Sequence, residues 1–208
     1  NYTLNSNIVT SGTGTIDLTV TSGTLTIAKG VTVTSANGIT YTANAMSLLG
    51  DSVFGAGTLT IAPSSAGYDI QLGSTASDVG TLGLSNTELA TLTGTGSIIL
   101  GGAGYSGDIS TAGVLDGSGI YELTTTGTIN ITDAIGSNTA PSHMEFTANS
   151  GINIGANITG NGNSLVFNSP VTLTANTTLS DSGDITFDST IDGDGLGPWT
   201  LAIDSTGG

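Results

Sequence analysis

The chain has 208 residues, one basic and sixteen acidic, for a formal net charge of -15, and no cysteine. That balance excludes phosphate neutralisation, and with it nucleic-acid binding and charge-driven docking on anionic membranes. The missing cysteine excludes disulfide frameworks, thiolate zinc sites and thiol catalysis.

Charged residues make up 8% of the chain, against about 25% in typical globular domains. Apolar residues make up 37%, and there are 33 glycines. Glycine and threonine disfavour helix interiors, and β-branched threonine favours strands. No apolar run reaches the length of a membrane-spanning helix. The chain opens on Asn1 rather than Met, which we read as a processed product or an excised segment.

Along the chain the recurring unit is an apolar–polar–apolar triplet bounded by Gly, Asn, Ser or Asp. Ile16-Asp17-Leu18, Leu25-Thr26-Ile27, Val31-Thr32-Val33 and Ile39-Thr40-Tyr41 open the series. Further triplets follow at 59–61, 70–72, 82–84, 129–131, 152–154, 171–173 and 185–187. A period of two with one apolar side is the pattern of a half-buried strand. Gly23-Thr24-Leu25-Thr26-Ile27-Ala28 returns as residues 57–62, which fits two coils of uneven length or a loop insertion. Residues 63–67, 136–142 and 192–198 read as loops from their Pro, Gly, Ser and Asn content.

The strongest signal is self-similarity. Leu165-Val166-Phe167-Asn168-Ser169-Pro170-Val171 matches Ile185-Thr186-Phe187-Asp188-Ser189-Thr190-Ile191. Residues 129–135 match 152–158, which in turn match 171–177. These matches place Ile129, Ile152, Val171 and Ile191 on one ladder, with Phe167 under Phe187 on another. A period near twenty is too short for hairpins of ordinary strands but fits one coil of a solenoid, whose apolar residues are buried only by stacking. The expectation is an all-β chain forming a right-handed parallel β-helix. At about 20 residues per coil and roughly ten coils, it would be a single domain over 1–208, less regular over 1–125 and clearest over 126–208.

Two stretches carry a family resemblance. Asp78-Val79-Gly80-Thr81-Leu82-Gly83-Leu84-Ser85-Asn86-Thr87-Glu88-Leu89, then Thr95-Gly96-Ser97-Ile98-Ile99-Leu100-Gly101 and Ser106-Gly107-Asp108-Ile109, resemble a module of giant filamentous-haemagglutinin-like bacterial surface proteins. In that module an LS-x-x-EL segment precedes short I-x-I-G and GxI strands. Residues 158–206 are similar to another such repeat. The resemblance implies a β-helix, export across the outer membrane and a place at the cell surface in adhesion or matrix. The Asn-Pro-Asn-Gly motif of that family's secretion cap does not occur here. The resemblance is therefore to interior repeats, or to a related protein exported by another route.

Catalytic candidates are few. His143 is the only histidine, and no Gly-x-Ser-x-Gly elbow is present, so a serine triad would depend on that one loop residue. Asp181, Asp184, Asp188, Asp192 and Asp194 are the candidates for carboxylate-pair chemistry on polysaccharides. Stacking would set Asp184 over Ser164 and Asp188 over Asn168. Against an enzyme stand the absent arginine and the single tryptophan, Trp199. Asp188, Asp192 and Asp194 are also a candidate weak Ca²⁺ cluster, the only cofactor the sequence raises. The Thr-x-Thr spacings are too irregular for an ice-binding face. Sequons at Asn1, Asn130, Asn157 and Asn176 permit glycosylation, and the register of Asn157 with Asn176 equally permits an internal Asn ladder.

The sequence thus points to a non-catalytic structural or adhesive segment, extracellular or on the bacterial surface. Its partners would be neighbouring repeats, or glycans and host surfaces. The alternative is a subunit of a head-to-tail extracellular filament that pairs through its open ends. A polysaccharide-binding or polysaccharide-cleaving β-helix is the third reading.

Overall fold

The computed structural model describes residues 1–206. Glycine and Asx corners break the chain into short strands that cannot close a core within one coil, so each coil lies on the one before it. The first coil carries β1 (Tyr2–Leu4), β2 (Ile8–Val9) and β3 (Ile16–Thr19). The second carries β4 (Thr24–Ile27), β5 (Thr32–Thr34) and β6 (Gly38–Thr42), and the third β7 (Ala45–Leu48), β8 (Asp51–Val53) and β9 (Thr58–Ala62). The fourth is longer: β10 (Ile70–Leu72), β11 (Leu82–Leu84), a single helical turn α1 (Asn86–Leu89), β12 (Leu92–Thr93) and β13 (Ile98–Gly101).

Next come β14 (Ile109–Thr111) with β15 (Ile120–Thr125), then β16 (Ile129–Ile131) with β17 (His143–Ala148). In these two coils the middle face narrows to single bridges at Leu115 and Ile135. The seventh coil has β18 (Ile152–Ile154), β19 (Ile158–Thr159) and β20 (Ser164–Phe167); the eighth has β21 (Val171–Leu173), β22 (Thr177–Asp181) and β23 (Asp184–Phe187). The last has β24 (Ile191–Gly193) and β25 (Leu201–Ser205).

Every strand pair is parallel, and the result is a β-solenoid of about nine turns with about 23 residues per turn. Both figures depart from the sequence expectation of about 20 residues and roughly ten coils. Two of the matched repeats, 152 to 171 and 165 to 185, span coils of nineteen and twenty residues, below the mean. Leu59 pairs with Ile98, thirty-nine positions on, whereas Ile39 to Leu59 is a step of twenty. The long step holds the β10–β11 excursion and α1.

The predicted ladder is present rung for rung: Ile129 on Ile152, Ile152 on Val171, Val171 on Ile191. It belongs to a seven-stranded sheet ordered β11-β10-β14-β16-β18-β21-β24. Phe167 pairs with Phe187 and Ser164 with Asp184, as the spacing required. The Gly23–Ala28 recurrence has a different meaning from the one expected. β4 stacks in the β1-β4-β7 sheet, whereas β9 lies in the eight-stranded sheet on another face. Similar words therefore serve different faces, and they do not stack. Residues 63–67 and 136–142 are loops, but the third predicted loop starts later, at Asp194, because Asp192 and Gly193 complete β24.

Inward triplet positions form the core. Tyr41, Phe54, Phe146 and Phe167 are its largest fully buried side chains. The rings of Phe146, Phe167 and Phe187 stack with centroids 4.9 and 4.8 Å apart and planes within 10°. That spacing is the strand spacing of about 4.8 Å, so the backbone ladder sets the ring geometry. Buried hydroxyls pair across the interior: Tyr41 Oη of β6 meets Ser52 Oγ of β8 at 2.8 Å, and burial pushes the phenol up to about 12 despite that bond.

A second corner device repeats along the rod. Asn and Asp side chains accept the backbone amide of the next coil: Asn1 from Thr24, Asn7 from Thr32, Asn157 from Thr178 and Asn176 from Thr200. Asn157 and Asn176 are exposed, so they are not an internal ladder. Their bonds run from side chain to backbone, because the corner turns each Asx toward the orphan amide above it. A side-chain Asn pair does exist elsewhere, where Asn153 donates to Asn130 at 2.8 Å.

Replacing Phe167 by Ala removes the middle ring of the stack and is expected to cost about 3–5 kcal/mol. Phe187→Ala, at the half-buried end of the stack, should cost less. Urea denaturation followed by circular dichroism measures both, and equal losses would contradict the stacking account.

Candidate functional site

Two places concentrate polar chemistry. The first is the outer face of the eight-stranded sheet, where β17 and β20 lie side by side. His143 pairs with Ser164 across the ladder, and its Nδ1 lies 2.8 Å from Ser164 Oγ. Its Nε2 is 3.9 Å from Glu145 Oε2. Asn168 Nδ2 donates to Glu145 Oε1 at 2.5 Å and to Thr147 Oγ1 at 2.9 Å. Glu122 stacks directly beneath Glu145, and Asp184 lies one strand beyond Ser164.

Serine, histidine and carboxylate thus stand in the order of a nucleophile relay. The parity of the strand puts all three on one outward face, a juxtaposition that the loop reading of His143 missed. The face is a flat paired sheet. β20 is laddered on both sides, so its amides are engaged in the sheet plane and do not converge on an oxyanion.

The acidic candidates do not gather. Among the described residues, no three His, Cys, Asp or Glu side chains are placed to hold a metal ion. Asp192 sits within β24 opposite Thr172, and the amide of Asp188 donates to Phe167. Asp194 Oδ1 accepts from the Leu196 amide at 2.9 Å and from Trp199 Nε1 at 2.6 Å. It therefore orders the Trp199 loop. Asp181 is 98% buried, because β22 alternation turns it inward after Thr177 and Leu179. Its Oδ1 accepts the amides of Gly162 and Gly183, at 3.0 and 2.6 Å, while Oδ2 has no partner.

The second place is a groove that the sequence did not announce. β10 and β11 pair with each other in parallel, and β10 also carries β14. One face of the rod therefore gains a strand that the eight-stranded face lacks. The coils are wedged apart in between, and the middle face is interrupted between β12 and Leu115. α1 lies between these coils, and its Asn86 and Leu89 line the gap. Its N-cap is Ser85, in a reciprocal capping box with Glu88, and its Leu89 is buried.

Beside α1 a groove of about 420 Å³ remains open, walled by Leu92, Thr93 and Gly94 on one side and by Asp116, Gly117, Ser118 and Gly119 on the other. Tyr121 closes it, its phenol pushed up to about 12 by burial, with a hydrogen bond at Gly119 opposing.

Asp116 is the charged wall of this groove. Desolvation works against its charge, but hydrogen bonds from the Asn138 side chain and the amides of Asn138 and Thr139 prevail and hold the carboxyl below its ordinary value. The bonds are 2.8, 2.9 and 3.1 Å long. Two signals in the sequence bear on the groove. One is the departure from coil spacing over 63–97; the other is the LS-x-x-EL segment, which proves to be the capping-box helix.

No protein-family model, no curated protein and no solved structure matches the chain. Fold and geometry therefore define its class, a β-solenoid repeat protein. Among the described residues no helix is long and apolar enough to cross a membrane.

A carboxyl with a lowered folded value contributes stability above its unfolded value, and that contribution fades as pH falls through the folded one. Asp116→Asn should therefore lower the thermal midpoint at pH 7, with the gap to wild type closing as the pH drops below about 4. A gap independent of pH in differential scanning calorimetry would refute the charged role of Asp116.

Proposed function

We propose that this chain is a structural and adhesive segment of a β-helical exoprotein displayed outside the bacterial cell. The observation that carries the reading is the unbroken eight-stranded ladder from β3 to β23. A rod whose coils are joined along one whole face by a backbone hydrogen-bond ladder resists extension along its length. Outer positions rich in Thr, Ser and Asn present hydroxyls and amides suited to hydrated polysaccharide or host surfaces. The net charge of -15 keeps the rod dispersed. The resemblance of residues 78–109 and 158–206 to filamentous-haemagglutinin-like repeats points the same way. In this reading the His143–Ser164–Glu145 network is part of the polar outer surface rather than a catalytic centre.

The test is mechanical and adhesive. Pulled end to end in an optical trap, the chain is expected to unfold in steps of about one coil or small groups of coils. Fluorescent beads coated with it should remain on polysaccharide-coated or epithelial surfaces under flow, while beads coated with albumin wash off. Equal wash-off on every such surface would defeat the adhesive reading and leave only the mechanical one.

A second reading has its own observation. The last described coil leaves Ile191 37% and Ile203 53% exposed, and the first leaves Val9 68% exposed. Unpaired strand edges with apolar neighbours invite end-to-end pairing into a filament. Sedimentation velocity should then show growth with concentration that Ile203→Asp suppresses; a monomer throughout would exclude it.

A further inference from the structure

The backbone around the groove has an unmet pattern. Below it, β12 pairs only with β8. The Ser52 amide donates to Thr91 and the Phe54 amide to Thr93, so the alternation of a strand turns the Leu92 N–H and C=O the other way, into the groove. Above it, Leu115 bonds upward to Ala134 and Gly136, and the Gly117 amide bonds upward to Thr139. The intervening groups face down. They come as two successive brackets, each a carbonyl followed two residues later by an amide: Val114 C=O with Asp116 N–H, then Asp116 C=O with Ser118 N–H. A bracket of this form is what a strand presents to one residue of a parallel neighbour.

The first bracket is filled by a peptide mimic. Asn86 Nδ2 donates to Val114 C=O at 3.0 Å, and Asn86 Oδ1 accepts from Asp116 N–H at 3.2 Å. The Ser74 amide also donates to Val114 C=O, at 2.9 Å, so the carboxamide shares that carbonyl with the backbone and stands in for a neighbouring strand at the Asp116 N–H. The second bracket has no such partner. It opens on the groove opposite Leu92, beside Gly94, Gly117 and Gly119, whose missing Cβ atoms make room for the rings of Phe54 and Tyr121.

We propose that this groove binds an extended polypeptide segment, which adds as a short parallel strand between β12 and residues 116–118. The bound backbone would donate to Asp116 C=O and accept from Ser118 N–H on one edge. On its other edge it would meet the N–H and C=O of Leu92. Its side chains are basic: Asp116 borders the groove, and the chain carries one basic residue against sixteen acidic ones. The volume of about 420 Å³ lies within the range of specific ligand sites, and strand addition to a free edge is an established mode of peptide capture. The site is a consequence of the β10–β11 excursion and is independent of the adhesive reading.

The probe is the blocked peptide acetyl-Lys-Thr-Val-Thr-Lys-amide, titrated into the ¹⁵N-labelled full chain. Saturable amide shifts are expected at Leu92 and at Gly117, Ser118 and Gly119. N-methylation of either alternate set of peptide residues removes the donors on one edge and should weaken binding about tenfold. Exchanging both lysines for glutamate should abolish it. The proposal is overturned if those amides do not move, if the N-methylated peptides bind as well as the parent, or if the shifts fall instead on β1 to β3 or β23 to β25, the edges at the two ends of the rod.

Discussion

The parallel backbone ladder between coils is the constraint on which the rest depends. Each strand is two to six residues long and would not persist alone. It persists because its amides and carbonyls are paired above and below at about 4.8 Å. That spacing obliges like to stack on like. Ile129, Ile152, Val171 and Ile191 follow one another because a register slip of one residue would turn an apolar side chain outward. The parallel rings of Phe146, Phe167 and Phe187 follow from the same cause, although an isolated aromatic pair would settle offset or edge-on.

The ladder leaves the corners as the weak points, since a corner turns backbone groups out of register with the coil above. The molecule meets this with short polar side chains. Exposed Asn and Asp residues accept the next coil's amide, and buried Ser and Thr hydroxyls do the same from inside, as Thr111 Oγ1 does for Thr132 and Asp133. This explains why the chain is rich in Asn, Ser, Thr and Asp while almost lacking Lys and Arg. A long cation cannot accept an amide hydrogen.

The same ladder makes an insertion costly to hide. Adding β10 to one face forces a wedge, and every backbone group on its walls needs a new partner. α1, with its capping box, sits in the wedge, and the Asn86 carboxamide supplies the acceptor that the Asp116 amide would otherwise lack. The groove is what remains. A defect in a repetitive scaffold is also the one place where the scaffold is not like itself, and a distinct ligand has somewhere to bind.

Much of this was legible in the residues. Triplet alternation gave the strands, and near-repeats such as 165–171 against 185–191 gave the stacking partners and hence the solenoid, because inward residues must match along a ladder. The outward residues obey no such rule. His143, Glu145 and Ser164 come together through strand parity and cross-coil register, neither of which their own spacing reveals. The inward turn of Asp181 and the engagement of Asp194 by Trp199 were equally hidden, since an aspartate at a corner reads the same in sequence whichever way it points. The face on which Gly23–Ala28 and its copy lie, the number of coils and the groove at Asp116 were settled only in three dimensions. A local pattern determines what stacks, but only the accumulated path of the chain decides where a coil falls when one of them is thirty-nine residues long.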